Sequence, residues 1–187
     1  MEETLKQRES NCLKVVLFGP ESTGKSVLSK QLATHYKTLW VPEFSRIYAE
    51  QKAENNEILT KEDVLPIAKG QIALENSLTT NVDNLLICDT NLLETKVYSE
   101  AYYQGYSHEA LNKYAIENYY NLYFLTNIDI PWEPDGIRDK PHEREAMFKA
   151  FQDVLIKNKI PYVILNGSFE KRLETAIKHI DQLIKNH

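Results

Sequence analysis

Leu13-Lys14-Val15-Val16-Leu17-Phe18, followed at once by Gly19-Pro20-Glu21-Ser22-Thr23-Gly24-Lys25-Ser26, is the stretch that decides the fold of this chain. The first segment is an apolar run of strand character. The second fills every position of G-x-x-x-x-G-K-[ST]. A helical pattern comes next, with Val27, Leu28, Leu32 and Ala33 on one side. Strand, glycine-bracketed loop and helix in that order make a phosphate-binding loop. The glycines let the backbone curl so that successive N–H groups point at phosphate oxygens, and the helix N-terminus adds partial positive charge. Gly19, Glu21, Ser22, Thr23, Gly24, Lys25, Ser26 and Val27 are the expected triphosphate contacts. Lys25 would reach the β- and γ-phosphates, and the Ser26 hydroxyl would hold magnesium.

Bulk properties bound the remainder. A chain of 187 residues, 42% hydrophobic and 26% charged, has the size and composition of one ordinary globular domain. Its formal net charge of -5 argues against a nucleic-acid grip, which needs a basic surface. No apolar run is long enough to cross a bilayer. The polar start, Met1-Glu2-Glu3-Thr4-Leu5-Lys6, has no signal-peptide core. A cytoplasmic location is expected, with neither membrane nor nucleic acid as partner. Cys12 and Cys88 read as buried thiols of a reducing compartment. Nothing in the residues sets the oligomeric state.

Along the chain, residues 1–11 read as a charged, flexible lead-in and residues 12–187 as a single domain. Leu39-Trp40-Val41 is a short extended piece stopped by Pro42, and helix follows over 43–51. Asp63 caps a long helix in which Pro66 is tolerable only near the start. Asn84 to Asp89 is a buried strand, and helices follow near 92–103 and 107–119. Leu122 to Leu125 and Tyr162 to Leu165 read as strands, 143–157 and the Ser168-capped C-terminus as helices. Strands alternating with helices predict an α/β fold of the P-loop NTPase type: a parallel sheet of about five strands, helices on both faces, and a lid loop at about 131–144. Ligands of such sheets sit beyond the C-terminal strand ends.

Those strand ends carry the chemistry. Asp89 closes four apolar residues, the pattern of an aspartate that orders magnesium, although Asp also suits a helix cap at that place. Glu43 follows the short strand and could take a proton from an attacking hydroxyl, or simply pair with Arg46 on the next turn. The residues alone do not choose between those two readings. Residues 126–144 carry Arg138, Lys140 and Arg144 close together, as a cationic lid over a transferring phosphoryl group would. Trp132 reads first as an anchor for that loop. A GTP-driven switch fits poorly: Thr126-Asn127-Ile128-Asp129 lacks the guanine-reading lysine, and Asp89-Thr90-Asn91-Leu92 lacks the switch glycine. A remodelling ATPase would usually bring a longer chain. A small-molecule kinase fits best.

The chain also resembles the ribosylnicotinamide kinase domain of the NadR family. The likeness is carried in order by Gly19 to Ser26, Val41-Pro-Glu-Phe-Ser-Arg46, Ile67-Ala-Lys-Gly-Gln71 with Glu75, Cys88-Asp-Thr-Asn-Leu-Leu93, Thr95-Lys-Val-Tyr-Ser-Glu100, and Asp129-Ile-Pro-Trp132 with Asp135-Gly-Ile-Arg138. The resemblance implies a nucleoside/nucleotide-kinase-like enzyme of NAD biosynthesis that uses ATP and Mg2+ to phosphorylate the 5′-hydroxyl of nicotinamide riboside. It implies catalytic roles for Lys25, Glu43, Asp89, Arg138 and Arg144, and an acceptor pocket of Glu43, Arg46, Gln71, Trp132 and Asp135. Ser26 and Asp89 would hold the metal. Longer members of the family also carry a DNA-binding helix-turn-helix and a nucleotidyl-transfer domain. Here Gly19 lies near the start and no H-x-G-H occurs, so the expectation is a kinase alone. A kinase for another nucleoside, or a regulatory ATP/GTP-binding protein, remains the alternative.

Overall fold

The computed structural model describes residues 5–132 and 143–187. Five strands form one wholly parallel sheet in the order β2-β3-β1-β4-β5: β1 Leu13–Phe18, β2 Trp40–Val41, β3 Leu85–Asp89, β4 Leu122–Thr126 and β5 Tyr162–Leu165. Seven helices accompany them among the described residues: α1 Lys25–Tyr36, α2 Phe44–Glu54, α3 Val64–Thr79, α4 Leu92–Tyr102, α5 Glu109–Glu117, α6 Arg144–Lys157 and α7 Phe169–Lys185.

The period-two geometry of β1 shows why both faces need covering. Leu13, Val15 and Leu17 point to a core shared with Leu28 and Leu32 of α1 and Ala176 and Ile180 of α7. Val16 and Phe18 point to a second core built from α3, α4, α5 and α6, in which Phe18 meets the rings of Tyr123 and Phe151 edge-on. Lys14 shares the second face, buried, and Glu75 of α3 answers it at 2.9 Å. Tyr120 and Gln7 complete that carboxylate's shell at 2.7 Å each.

Most element boundaries fall within a residue or two of the sequence reading. Asp63 does start α3, through a 3-10 turn at Lys61–Asp63 and a reciprocal capping box with Thr60, and Pro66 lies in the first turn where its missing N–H is harmless. Ser168 caps α7 by accepting from the Lys171 N–H.

Two expectations need correction. Residues 5–11 are not a detached lead-in. Leu5 is 1% exposed in the core, Gln7 N–H donates to Asn118 Oδ1 at 3.0 Å, and Arg8 N–H donates to Asn76 Oδ1 at 2.7 Å. These anchors lie far away in sequence, so the segment's own polar composition could not reveal them. Val27 is 56% exposed, not on the buried side of α1 with Leu28, Leu32 and Ala33. It sits in the first turn at the open edge of the sheet, where no element among the described residues covers it. No helix among the described residues is long and apolar enough to cross a membrane.

Candidate active site

The loop after β1 forms a cradle at the middle of the sheet. Gly19 adopts φ +139, and a Cβ there would lie 2.6 Å from Thr126 Oγ1 and 3.0 Å from Thr126 O. No side chain fits where the loop leaves β1 against β4. Ser22 and Gly24 both take positive φ, so the chain reverses curvature before α1. Such a turn exposes consecutive N–H groups as an anion nest. Thr23 is buried and its hydroxyl lies 2.8 Å from Pro20 O and 2.7 Å from Thr126 Oγ1, pinning the loop to β4. Lys25 is folded back: its ammonium donates to Gly19 O at 2.7 Å and Pro20 O at 2.8 Å, and lies 3.3 Å from Glu94.

The ends of β2 and β3 bring the carboxylates beside this cradle. Asp89 is 2% exposed, and its Oδ1 is buried without a hydrogen-bond partner. Burial, then the negative charge of Glu43, raises its carboxyl to about 6, against the pull of a hydrogen bond from Ser26 and the charges of Lys25 and Arg46. Thr90 follows at φ +83, an uncommon conformation for a β-branched residue that turns the chain sharply after the carboxylate. Glu43 accepts from the Ser45 hydroxyl at 2.7 Å and lies 3.9 Å from Arg46. Gln71 is 2% exposed and does not present its amide to the crevice. Its oxygen accepts from Phe44 N–H at 2.8 Å and its nitrogen donates to Pro42 O at 3.2 Å. It fixes the corner that carries Glu43.

On the other side, the segment after β4 lies against the loop. Ile130 Cδ1 is 3.8 Å from where a Cβ on Gly24 would stand. Arg144 donates to Ile130 O at 2.8 Å and to Ser22 O at 3.4 Å, so it bridges the lid region and the cradle. Trp132 is half-buried, and its indole N–H is buried with no acceptor among the described residues. Asp135 and Arg138 lie outside the described residues. Lys25, Ser26, Glu43, Arg46 and Asp89 therefore lie together at the strand ends, with Arg144 on the other side of the loop and Gln71 behind the corner.

Two residues of the site escaped the sequence reading. Glu94 is 2% exposed in the first turn of α4, with Oε2 unpartnered. Burial, set against the attraction of Lys25 and reinforced by Glu43 and Asp89, raises its carboxyl to about 8. The short contact to Lys25 reads as an ion pair and the raised pKa as a neutral acid. We favour the neutral acid, because Lys25 already has two carbonyl acceptors and two other carboxylates repel a charge on Glu94. An acid in a first turn looks like ordinary helix capping, which hid it. Arg172, 3% exposed, is the other. A cation in the first turn of α7 opposes the helix dipole, and that misplacement was the available signal.

The fit for magnesium can be judged from the donors. Ser26 offers a hydroxyl, and Asp89 an oxygen that nothing else satisfies. No group of three His, Cys, Asp or Glu suited to a metal occurs among the described residues. One hydroxyl and one carboxylate suit a magnesium ion that arrives with phosphates and keeps its waters.

A parallel five-stranded sheet with a filled phosphate-binding loop at its centre defines a P-loop protein, of the architecture shared by nucleoside and nucleotide kinases. More narrowly, the chain belongs to the AAA_28 family, described as an AAA domain, whose model matches residues 14–172. It is 27% identical over 176 residues to the trifunctional NAD biosynthesis/regulator protein NadR of Escherichia coli (strain K12), a match covering 91% of this chain and 42% of that protein. The chain thus spans less than half the length of that curated relative. Its fold matches a crystal structure of NadR in complex with NR at TM-score 0.77 and 21% identity, covering 92% of this chain and 51% of the other. It also matches deoxyadenosine kinase from M. mycoides with bound products at TM-score 0.63 and 14% identity, over 91% of this chain and all of that one. These likenesses show the fold of P-loop nucleoside and nucleotide kinases.

Proposed function

We propose that the chain transfers the γ-phosphoryl group of ATP to the 5′-hydroxyl of nicotinamide riboside, giving nicotinamide mononucleotide and ADP. The observation that carries the reading is the placement of Glu43, Arg46 and Asp89 beside Ser26 of the cradle. A carboxylate that could serve an acceptor and the donor-side phosphate ligands are thereby neighbours, as direct transfer requires. The ordered likeness to NadR supports nicotinamide riboside as the acceptor.

In this reading the loop N–H groups and Lys25 hold the triphosphate. Lys25 gives up contacts to its own loop carbonyls to reach the β- and γ-phosphates. Ser26 and Asp89 would hold Mg2+, which when bound would screen charge on the phosphates. The acceptor oxygen forms a bond to the γ-phosphorus as the bond to the ADP oxygen breaks. Its proton passes to a strand-end carboxylate, which we assign to Glu43. Arg46 holds the acceptor side, Trp132 stacks on the nicotinamide ring, and Arg144 carries positive charge to the transferring group. Arg138 and Asp135 would complete the lid.

An acceptor panel tests the reading. Purified protein with ATP and magnesium is offered nicotinamide riboside, deoxynucleosides and thiamine, and products are identified by mass. Phosphorylation of nicotinamide riboside in clear preference to the others is expected. Preference for another nucleoside would overturn the acceptor and leave a kinase. ATP hydrolysis indifferent to all acceptors would overturn transfer itself.

A further inference from the structure

We propose that Arg172 is a positioning residue for the phosphate cradle: from behind the loop it fixes the orientation of the Thr23–Gly24 peptide and so aims the Gly24 N–H at the bound phosphates. The guanidinium is nearly wholly enclosed. Nη1 donates to Thr23 O at 2.9 Å, Nε to Gly167 O at 3.0 Å, and Nη2 to Asn127 O at 3.0 Å and to Asp129. A trans peptide directs its C=O and N–H to opposite sides, and no cis bond occurs among the described residues. With Thr23 O held on the α7 side, the following N–H faces the crevice. Gly24 is the N-cap of α1 at φ +80, so the direction of this one N–H also fixes how the helix N-terminus meets the ligand.

The device is itself locked. Asp129 bonds Arg172 on one oxygen and accepts from Gly167 N–H at 2.6 Å on the other. Burial works to raise the Asp129 carboxyl, and the Gly167 N–H and the arginine outweigh it, leaving it below the ordinary range. Together the carboxylate and Arg172 tie three strand ends: the loop after β1, the segment after β4 and the turn after β5. Such a network matters because a phosphate cradle acts through donors already aimed, not through donors that must reorganise. None of these groups needs to touch the nucleotide. The inference rests on reading Gly19 to Ser26 as a triphosphate cradle and is independent of the acceptor's identity.

The test is calorimetric titration of the full chain with a non-hydrolysable ATP analogue and, separately, with AMP, for wild type, Arg172→Met, Arg172→Lys and Asp129→Asn. Thermal melts establish that each variant is folded. Arg172→Met is expected to weaken the triphosphate by about 10-fold to 100-fold and AMP much less, because a loop N–H aimed at the β-phosphate has no partner in AMP. Arg172→Lys, with one short donor group, recovers part of the loss, and Asp129→Asn shows a smaller loss of the same selective kind. A folded Arg172→Met protein that binds the triphosphate as wild type does would overturn the assignment. So would equal loss for both nucleotides, the mark of general structural damage. If Arg172→Met does not fold, unchanged triphosphate affinity in Arg172→Lys and Asp129→Asn overturns it. A wild type that binds no triphosphate removes the cradle reading and this inference together, whereas a wild type that binds triphosphate without phosphorylating nicotinamide riboside leaves the inference standing.

Discussion

Replacing Glu94 with glutamine gives a measurement whose size follows from the site. The carboxyl stands at about 8 in the folded chain against 4.5 in an exposed one. Between those values the folded state holds a proton that the unfolded state has released, so stability falls as pH rises through this window and is fully recovered only below it. The slope is one proton, or about 1.4 kcal/mol per pH unit. Asp89 works in the same direction only up to about 6 and is present in both proteins, so from about pH 6 to about pH 7 their difference reports Glu94. Glutamine keeps an acceptor for Lys25 and removes the titration. Urea unfolding of both proteins across that interval is therefore expected to show the wild type losing about 1.4 kcal/mol relative to Glu94→Gln for each unit of pH. Parallel curves would refute the reasoning. They would mean that Glu94 is ionised in the folded chain and that its pairing with Lys25 outweighs burial.

Three further outcomes follow from the same geometry. Gly19→Ala forces a side chain into φ +139 and against the Thr126 hydroxyl and carbonyl. Strain of about 1–3 kcal/mol at the cradle is expected to weaken an ATP analogue by at least about 10-fold in a fluorescence titration, and unchanged affinity would contradict it. Gly70→Ala places a methyl inside the Phe44 ring, next to Glu43. Steady-state kinetics are expected to show loss of phosphoryl transfer with triphosphate affinity retained, and equal loss of both would speak against a local effect. Asp89→Asn is expected to regain activity as magnesium is raised and Glu43→Gln is not; rescue of Glu43→Gln alone would reverse the two assignments.

The parts of the site legible in the sequence were the local ones. The phosphate-binding loop is contiguous, so its residues name themselves. Asp89 and Glu43 can be placed at the edge beside the loop because a parallel sheet puts every strand end on one edge, and a strand end can be read from an apolar run. Gln71 marks where that reasoning thinned. Its position in a matching motif suggested an acceptor contact, while its amide bonds the Pro42 and Phe44 backbone. Arg172 lies 149 residues from the carbonyl it holds, and no periodicity encodes such a partner. Glu94 differs again: its place on α4 was foreseeable, but its neutrality depends on Glu43 and Asp89 arriving from other strands. Likewise the segment 5–11 looked solvent-bound until Asn76 and Asn118 supplied its partners.

If the cradle and the strand-end carboxylates form one site, phosphoryl transfer to nicotinamide riboside is direct. The most direct measurement is phosphorus NMR of a reaction containing the protein, ATP, magnesium and nicotinamide riboside. One nicotinamide mononucleotide is expected for every ADP formed, with no accumulation of inorganic phosphate. ADP appearing with free phosphate and no mononucleotide would contradict the account.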